Sequence, residues 1–346
     1  MGATAESRAV EGRAMARAID LAARGLGTTS PNPVVGAVIL DSTGDVVGEG
    51  WHEHAGAAHA EVVALAAAGE RASGGTAVVT LEPCAHTGRT GPCTSALLTA
   101  GISRLVFAVA EPSAAAGGGA EVLRAAGVEV VEGLLADEAA RGNEAWLLAE
   151  RLGRPFVTWK YAVTLDGRTS AADATSRWIT GPDARADVHT LRGQVDAVLV
   201  GAGTVLADDP QLTVREPDGA PAARQPLRVV ADRRGRVPRT ARVCDDTAAT
   251  LISRAASPEL LLAEMFERGV RHVLLEGGAD LAGAVVRAGL VDRVIAYVAP
   301  VLLGDGRPAL SAAGVATIGD AIRLRLDDVT MLGTDVRITA RPEKGS

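Results

Sequence analysis

Apolar residues follow two spacings along this chain, and each spacing predicts a different element. Between residues 7 and 24, apolar side chains such as Met15 and Ile19 return at helical spacing, whereas the runs at 34–40 and 76–81 are short and bounded by turn-forming residues. Further strands and helices are expected at 45–50, 59–68, 93–100, 104–109, 120–126, 128–131 and 136–150, and the turn-forming residues 41–44 predict a hairpin between the strands at 34–40 and 45–50. This alternation predicts an α/β sandwich with a largely parallel sheet.

A predicted helix end near the middle of the chain divides this pattern into two similar halves. Gly153 and Pro155 follow the last predicted helix of the first half, and such residues end helices. At 346 residues the chain also exceeds what a single core usually covers. In the second half, strands and helices are expected at 156–163, 182–192, 197–200, 227–231, 249–253, 258–268, 272–275, 279–288 and 293–298. The sequence therefore predicts two α/β domains, 1–152 and 153–346.

Composition and charge narrow the possible functions. With 47% hydrophobic and 22% charged residues the chain has an ordinary globular composition, and its net charge of -7 disfavours a broad nucleic-acid surface, which would need many Lys and Arg side chains. A small anionic ligand held by local arginines remains allowed. Apolar runs are too short to span a bilayer, and the N-terminal residues, with Glu6 and Glu11, do not have a signal-peptide pattern. We expect a cytoplasmic protein that binds neither nucleic acid nor membranes.

The most specific chemistry of the first half lies between His59 and Cys93. His59 and Glu61 stand in the first turn of a predicted helix, and Cys84 and Cys93, each preceded by a proline, follow the next strand. One imidazole and two thiolates can hold zinc on three sides and leave the fourth for water, as in catalytic zinc sites. Glu61 is not needed as a ligand and is a candidate proton carrier. This pattern is typical of the zinc-dependent nucleobase deaminases.

A structural role for the same residues is the alternative. A structural zinc site would need a fourth protein ligand, for which His52, His54 and His86 are candidates, and it would leave Glu61 without a role. We therefore favour the catalytic interpretation and treat the three histidines as polar loop residues or substrate contacts. Three cysteines are too few for a disulfide framework, and Cys244, alone in a polar stretch, receives no role.

Longer motifs in the first half make the pattern more specific. They are Ser-Pro-Asn-Pro-Val-Val-Gly at 30–36, His-Ala-Glu at 59–61, and the run at 80–93, which places His-Thr-Gly-Arg-Thr between the two cysteines. Together they resemble the bifunctional deaminase/reductase family of riboflavin biosynthesis. The resemblance implies one zinc ion per chain held by His59, Cys84 and Cys93, with Glu61 as the catalytic proton shuttle. It also implies that the pyrimidine or the substrate phosphate is contacted by Asn32, His86 and Arg89.

Two positions depart from the family pattern. The segment Glu-Pro-Ser-Ala at 111–114 stands where the family usually has Asp-Pro-Asn-Pro, and Ser95 stands where an aspartate is common. Because His59, Glu61 and the two cysteines are unchanged, these departures concern substrate contact or loop geometry and leave the expected reaction intact.

Glycines follow two predicted strands of the second half, at Gly201-x-Gly203 and at Glu276-Gly277-Gly278. Glycine lets a phosphate approach backbone N–H groups, and a following helix N-terminus favours anions. Tight packing between strand and helix also requires glycine, and the third glycine of the dinucleotide fingerprint is absent after Gly203. The residues alone indicate a phosphorylated ligand and do not indicate a Rossmann domain.

Three further segments, at 160–168, 205–215 and 276–278, resemble the reductase half of the same family. That half is similar to dihydrofolate reductase in fold and uses NADPH. By this resemblance the cofactor is lined by Ala162, Trp178, Thr204, Asp208, Gly278, Ala279, Asp280, Leu281, Ala282, Gly283 and Ala284. The ribosyl phosphate substrate is contacted by Ser176, Arg192, Leu212, Arg215 and Glu276. Asp208 and Glu276 are the acids that could donate a proton.

The resemblance thus implies a cytidine-deaminase-like α/β/α sandwich over residues 1–152 and a dihydrofolate-reductase-like α/β domain over residues 153–346. It implies zinc-dependent hydrolytic deamination of 2,5-diamino-6-(5-phosphoribosylamino)pyrimidin-4-one, followed by NADPH-dependent reduction of the ribosyl group to ribityl. We also expect a homo-oligomer, either a dimer or a tetramer. Two alternatives stay open. One is a purine or tRNA base deaminase joined to an unrelated domain, and the other is an enzyme in which one half only binds.

Overall fold

The computed structural model describes residues 5–86, 91–112 and 117–343. The chain divides into two compact units between Leu152 and Gly153, and each has a hydrophobic core of its own. Within the described residues, none of the helices combines the length and the apolar content that crossing a membrane requires.

In its described part, the first unit is a five-stranded sheet with helices on both faces. The strands are β1 (Gly36–Leu40), β2 (Val46–Trp51), β3 (Thr76–Leu81), β4 (Arg104–Val109) and β5 (Glu129–Glu132). The helices are α1 (Ala5–Ala23), α2 (Ala60–Ala68), α3 (Cys93–Thr99), α4 (Gly119–Ala125), α5 (Ala136–Gly142) and α6 (Glu144–Leu152). The strand order is β2-β1-β3-β4-β5.

Alternating side chains of the central strands divide the core into two layers. In β1, Ala37 and Ile39 pack with α2, α3 and α4, whereas Val38 and Leu40 pack with Met15 and its neighbours on α1. Successive residues of a strand point to opposite faces, so a continuous apolar run produces a strand that is buried on both sides. The predicted α/β/α sandwich is confirmed.

The first sheet is mixed, so the expectation of a largely parallel sheet is wrong here. β1 pairs antiparallel with both β2 and β3, whereas β3–β4 and β4–β5 are parallel. The first of these pairings confirms the hairpin predicted from residues 41–44, where Asp41 accepts hydrogen bonds from the backbone N–H groups of Thr43 and Asp45. The single helix predicted over 136–150 is also wrong, because it is interrupted at Asn143 between α5 and α6.

The described part of the second unit contains an eight-stranded sheet of order β12-β13-β11-β6-β10-β7-β8-β9. Its strands are β6 (Phe156–Thr164), β7 (Ala197–Gly201), β8 (Leu227–Ala231), β9 (Thr250–Ser253), β10 (His272–Leu275), β11 (Arg293–Ala299), β12 (Leu324–Leu332) and β13 (Asp335–Pro342). Its helices are α7 (Pro182–Gly193), α8 (Ala202–Asp208), α9 (Pro258–Glu267) and α10 (Ala279–Arg287).

Six neighbouring strands of this sheet, from β11 to β9, are parallel. Their carboxyl ends therefore share one edge, which is where open α/β sheets bind ligands. The remaining two strands, β12 and β13, form an antiparallel hairpin that joins β11. The hairpin was not among the predicted elements, whereas α8 is the helix expected next to Gly203.

Candidate functional sites

His59, Cys84 and Cys93 come together at one end of the first sheet. His59 is the residue before α2, Cys84 follows β3, and Cys93 begins α3. The Nδ1 atom of His59 lies 3.1 Å from the Cys93 Sγ and 3.7 Å from the Cys84 Sγ. All three candidate ligand atoms lie within 4.8 Å of one another.

This donor set fits a zinc ion with three protein ligands. Tetrahedral bonds of about 2.0 Å to nitrogen and 2.3 Å to sulfur place ligand atoms roughly 3.5–3.8 Å apart, close to the distances found here. Within the described residues this is the one group of three or more His, Cys, Asp or Glu side chains that could hold a metal. His54 and His86 are exposed, and His52 has other partners, so none of them completes a four-ligand structural site.

Glu61 lies beside the three ligands in the first turn of α2, and its side chain is buried, with 3% exposed. Burial raises the pKa of this carboxyl above its usual range. The two thiols have opposite shifts: a hydrogen bond from Cys93 lowers the pKa of Cys84 to about 4, and the same contact, with burial, raises the pKa of Cys93. The cluster without metal thus favours one thiolate, and metal binding would deprotonate the second thiol.

Close backbone contacts hold the site in place. A Cβ atom on Gly50 of β2 would lie 2.5 Å from the carbonyl oxygen of Ala60, so glycine lets the start of α2 lie directly against the sheet. A Cβ atom on Gly119 would lie 1.8 Å from the carbonyl oxygen of Pro83, next to Cys84. The absence of a side chain at Gly119 therefore lets α4 support the loop that carries Cys84.

Glu82, next to Pro83, supports the same loop with its side chain. Its carboxylate accepts hydrogen bonds from the backbone N–H groups of Glu111 at 3.2 Å and Ala120 at 3.0 Å. Glu111 is the first position that departs from the family pattern, and it contributes to this hydrogen bonding through its backbone N–H group. The other departure, Ser95, is exposed on α3.

Asn32 belongs to a hydrogen-bonded chain that fixes the orientation of its side chain. His52, which is buried, contacts the Ala58 carbonyl through Nδ1 at 3.1 Å, so Nδ1 donates and Nε2 is left as an acceptor. The Asn32 Nδ2 lies 3.1 Å from this Nε2 and donates to it. The orientation makes the Asn32 Oδ1 an acceptor for a ligand.

Side chains of the α5–α6 junction hold the segment on both sides of Asn32. The Trp146 indole N–H donates to the carbonyl of Pro31 at 2.9 Å, and the Asn143 Oδ1 accepts from the backbone N–H of Val34 at 3.3 Å. The break between α5 and α6 thus places two side chains that hold the segment around Asn32.

The other two predicted substrate contacts of this unit are His86 and Arg89. His86 is exposed, and Arg89 lies outside the described residues.

In the second unit, two groups of predicted cofactor residues lie on the helices that follow the carboxyl ends of β7 and β10. Thr204 of α8 accepts a hydrogen bond from the backbone N–H of Gly278, the residue before α10, at 3.2 Å. Ala282 and Gly283 of α10 are buried, and a Cβ atom on Gly283 would lie 1.7 Å from the Ser311 carbonyl oxygen, whereas Asp280 in the first turn is exposed. Asp280 accepts a hydrogen bond from the Ser311 hydroxyl.

Three other predicted cofactor residues lie on separate elements. Ala162 is on β6, in register with Tyr297 of β11. Trp178 is exposed, and the guanidinium of Arg185 lies 4.7 Å from its ring. Asp208 ends α8, where its backbone carbonyl accepts from Arg177. Ser176 is partly buried beside Arg177.

Glu276 and Arg192, both predicted to contact substrate, form a partly buried ion pair with Lys160. The carboxylate of Glu276 accepts two hydrogen bonds from Arg192, at 2.6 and 3.0 Å, and one from Lys160 at 3.4 Å. Burial alone would raise the pKa of Glu276, but the two cations lower it to about 2. Arg192 also donates to the Thr213 carbonyl at 3.1 Å, next to Leu212, which is buried.

Lys160 was not predicted as a site residue, although its position gives a signal. It is a lysine in the middle of the apolar strand β6, between two aromatic residues, and such a charge needs a partner. Tyr297 was also missed: its ring lies 5.7 Å from the Lys160 Nζ, and its hydroxyl donates to Asp187. The sequence has no local pattern for Tyr297, because its neighbours belong to β6 and α7.

Two family models match this chain, one in each unit. The model described as the cytidine and deoxycytidylate deaminase zinc-binding region matches residues 9–109, and the model described as the RibD C-terminal domain matches residues 155–338. The first match contains His59, Glu61, Cys84 and Cys93. The second contains the Glu276 ion pair.

Relatives and solved structures match nearly the whole chain. The riboflavin biosynthesis protein RibD of Mycobacterium tuberculosis is 49% identical over 327 residues, which is 94% of this chain and 96% of that protein. Acinetobacter baumannii RibD is similar in structure, with a TM-score of 0.90 and 40% identity over 97% of this chain and 100% of that chain. The diaminohydroxyphosphoribosylaminopyrimidine deaminase/5-amino-6-(5-phosphoribosylamino)uracil reductase of Thermotoga maritima has a TM-score of 0.89 and 34% identity, covering 97% and 99% of the two chains.

Proposed function

We infer the function from one premise: this chain belongs to the RibD family, the bifunctional deaminases and reductases of riboflavin biosynthesis. A zinc-dependent deaminase domain and an NADPH-dependent reductase domain are both present. We assign the deaminase to residues 1–152 and the reductase to residues 153–346. The observation that carries the proposal is the cluster of His59, Cys84 and Cys93 with a free carboxylate at Glu61, in a chain similar to RibD along both halves.

The first unit would remove the exocyclic amine of 2,5-diamino-6-(5-phosphoribosylamino)pyrimidin-4-one. His59, Cys84 and Cys93 would hold zinc, which supplies positive charge that lowers the pKa of water. Glu61, excluded from solvent and not needed as a ligand, would take a proton from the attacking water as oxygen adds to the ring carbon. It would then return the proton to the amine, which leaves as ammonia.

Asn32 is suited to recognise the pyrimidine because its amide is already oriented. His52 uses the Nδ2 group and leaves the Oδ1 atom to accept a hydrogen bond from an amino group or a ring N–H. We retain His86 and Arg89 as candidate contacts to the pyrimidine or the phosphate. An arginine is suited to phosphate because its fork of donors reaches two oxygens.

The second unit would transfer hydride from NADPH to the ribosyl carbon attached to nitrogen, opening the sugar to a ribityl chain. NADPH supplies the hydride, and the protein supplies orientation and charge. Among the residues assigned to the cofactor above, Thr204 and the start of α10 meet at the carboxyl edge of the sheet. This edge is where a parallel sheet binds its ligand.

Glu276 is better suited to organise the reductase site than to donate a proton. With a pKa of about 2, its carboxyl is ionised at neutral pH and pairs with Arg192 and Lys160. We propose that it holds these two cations toward the polar parts of the substrate. Arg215, Leu212 and Ser176 stay candidate contacts to the ribosyl phosphate.

We further propose a homo-oligomer that includes contacts through β12. Four apolar residues of this edge strand, Leu324, Leu326, Val329 and Met331, are exposed by 41%, 62%, 58% and 63%. A run of exposed apolar residues on an edge strand is typical of a protein interface, and a two-fold axis lets one apolar face cover its own copy.

A cytoplasmic location suits the two thiolate ligands, because a reducing compartment keeps them free. The net charge of -7 suits an enzyme that uses neither nucleic acid nor anionic membranes.

The exchange of Glu61→Gln tests the deaminase assignment. The amide cannot carry the proton, so ammonia release should fall at least about a hundredfold. Zinc per chain and NADPH oxidation with 5-amino-6-(5-phosphoribosylamino)uracil should not change. Ammonia, metal content and cofactor absorbance are measured on the same preparation, with Glu70→Gln, an exposed glutamate after α2, as control. Full ammonia release by Glu61→Gln would refute the assignment.

A further inference from the structure

Gln211 lies between a carboxylate and two guanidinium groups in the segment after α8. Its Nε2 donates to the Asp245 Oδ2 at 2.7 Å, and its Oε1 accepts from Arg215 at 3.0 Å and from Arg242 at 3.4 Å. A glutamine amide has one donating and one accepting side. The carboxylate therefore determines its orientation, and the oxygen is turned toward the two arginines.

Asp245 is itself held by Arg228 of β8, whose side chain is 0% exposed. Arg228 donates to the Asp245 Oδ1 at 2.7 Å and to the backbone carbonyls of Asp245 and Ala248, both at 2.5 Å. The same guanidinium lies 3.4 Å from the Gln211 carbonyl oxygen. This pairing also lowers the pKa of Asp245, so the carboxylate stays ionised and in place. The chain Arg228–Asp245–Gln211–Arg215 thus runs from the core to the surface.

Arg215 differs from Arg192, the other arginine assigned to the substrate. Arg192 is paired with the Glu276 carboxylate at 2.6 Å, which offsets its charge. Arg215 is exposed and is held by a neutral amide oxygen, and no carboxylate of the described residues forms an ion pair with Arg215 or Arg242. Two like charges on one oxygen, without a carboxylate between them, form a suitable place for a dianion.

The backbone next to Gln211 is conformationally unusual. Leu212 has a φ of 56°, in the left-handed region that a bulky residue rarely adopts. Such a conformation persists only when surrounding contacts hold it. Gln211 on one side is fixed by Asp245, and Thr213 on the other side accepts from Arg192. The contacts of Gln211 therefore also help to hold the segment that ends in Arg215.

We propose that Gln211 is a positioning residue that orients Arg215 toward the phosphate of the reductase substrate without neutralising its charge. Asp245 and Arg228 fix the orientation of Gln211, and Arg242 adds positive charge beside Arg215. The proposal rests on the proposed function, in which Arg215 contacts the ribosyl phosphate. A carboxylate at position 211 would compete with that phosphate, whereas the amide does not.

Two exchanges at this position, Gln211→Met and Gln211→Glu, test the proposal. The methionine keeps the side-chain length and removes the side-chain hydrogen bonds of Gln211 to Asp245, Thr247, Arg215 and Arg242. Losing a hydrogen bond to a charged group should raise the KM for 5-amino-6-(5-phosphoribosylamino)uracil about tenfold. The kcat and the KM for NADPH should stay within about twofold, because the interaction is the same in ground and transition states. Gln211→Glu should raise the substrate KM at least as much.

A double-mutant comparison separates positioning from a merely structural role. In an Arg215→Ala background, Gln211→Met should cause little further change, because the two residues act as one unit. Gln194→Met, an exposed glutamine of the same unit, is the matched control and should behave like the unmodified protein. An unchanged KM in Gln211→Met, or an equal rise with and without Arg215, would overturn the proposal.

Binding of inorganic phosphate, followed by phosphorus NMR, tests the same point without turnover. The unmodified protein should bind phosphate more tightly than Gln211→Glu by about tenfold or more, and equal binding would overturn the proposal. This measurement also decides the case in which Gln211→Met does not fold. If the unmodified protein binds phosphate more tightly than Gln211→Glu and yet does not oxidise NADPH with the uracil substrate, the proposed reductase function fails, while the effect of Gln211 on anion binding at Arg215 is still shown.

Discussion

Glu276 keeps its charge in surroundings that would favour the neutral acid. Its side chain is 9% exposed, and those of Arg192 and Lys160 are 16% and 14% exposed. Each of these ions loses hydration on burial, which costs free energy. Their mutual attraction offsets that cost only while all three ions are present. The carboxylate therefore stabilises two partly buried cations, and we expect it to keep them in one place for the substrate.

At this scale we predict that Glu276→Gln destabilises the second unit by about 3 kcal/mol at neutral pH, since the two cations lose their counter-charge. The pKa of Glu276 is about 2 in the folded chain, below the ordinary 4.5, so its contribution is complete above pH 4.5 and is lost as pH falls toward 2. The difference between the two proteins should shrink over this range. Urea unfolding between pH 7 and pH 3 measures it, and a pH-independent difference would contradict the assignment.

Gly119 matters to the zinc site because it has no Cβ atom. A Cβ atom there would overlap the Pro83 carbonyl, so Gly119→Ala must displace the loop that carries Cys84. We expect zinc content to drop and ammonia release to fall about tenfold or more, since a small misplacement at a reacting centre is costly. Gly142→Ala is the control, because nothing lies within 4 Å of the added Cβ. Normal zinc content in Gly119→Ala would show that the loop adapts.

At the scale of elements, the β12–β13 hairpin shows why some strands were not predicted from the hydrophobic pattern. A register shift between Leu326 and Asp328 inserts one residue into β12. Because of this bulge, Leu324, Leu326, Val329 and Met331 pair with alternate residues of β13 and lie on one face, although their spacing is irregular. A strict alternation of polar and apolar positions cannot recognise such a strand.

The same bulge gives the hairpin an apolar face that we expect to be covered by a second copy. We predict that Leu326→Asp combined with Val329→Asp shifts the protein to a smaller species, because two carboxylates cannot be buried unpaired. Light scattering after size exclusion measures the mass, and Leu260→Asp, on an exposed apolar residue of α9, is the control. An unchanged mass in the double variant would exclude this face from the interface.

At the scale of the molecule, the chemistry that depends on short motifs was predictable, and the chemistry that depends on tertiary neighbours was not. His59, Glu61, Cys84 and Cys93 lie in one short stretch, and their residue types alone limit the possible chemistry. Lys160 and Gln211 acquire their partners only when β6 meets β10 and when the loop after α8 meets the segment near Asp245. Likewise, the two α/β halves and the β1–β2 hairpin followed from local patterns, but the antiparallel pairing of β1 with β3, which makes the first sheet mixed, has no local signal.

We assign the two activities to separate units, so removal of zinc should affect ammonia release alone. The candidate ligands all lie in the first unit, and in the described part of the second unit no comparable metal-binding group is found. Treatment of the whole chain with a chelator should stop ammonia release and leave NADPH oxidation with the uracil substrate within about twofold of its starting rate, because the reductase needs no zinc. Added zinc should restore ammonia release. Loss of both activities on chelation would mean that the metal also supports the second unit, and the assignment of independent sites would then be wrong.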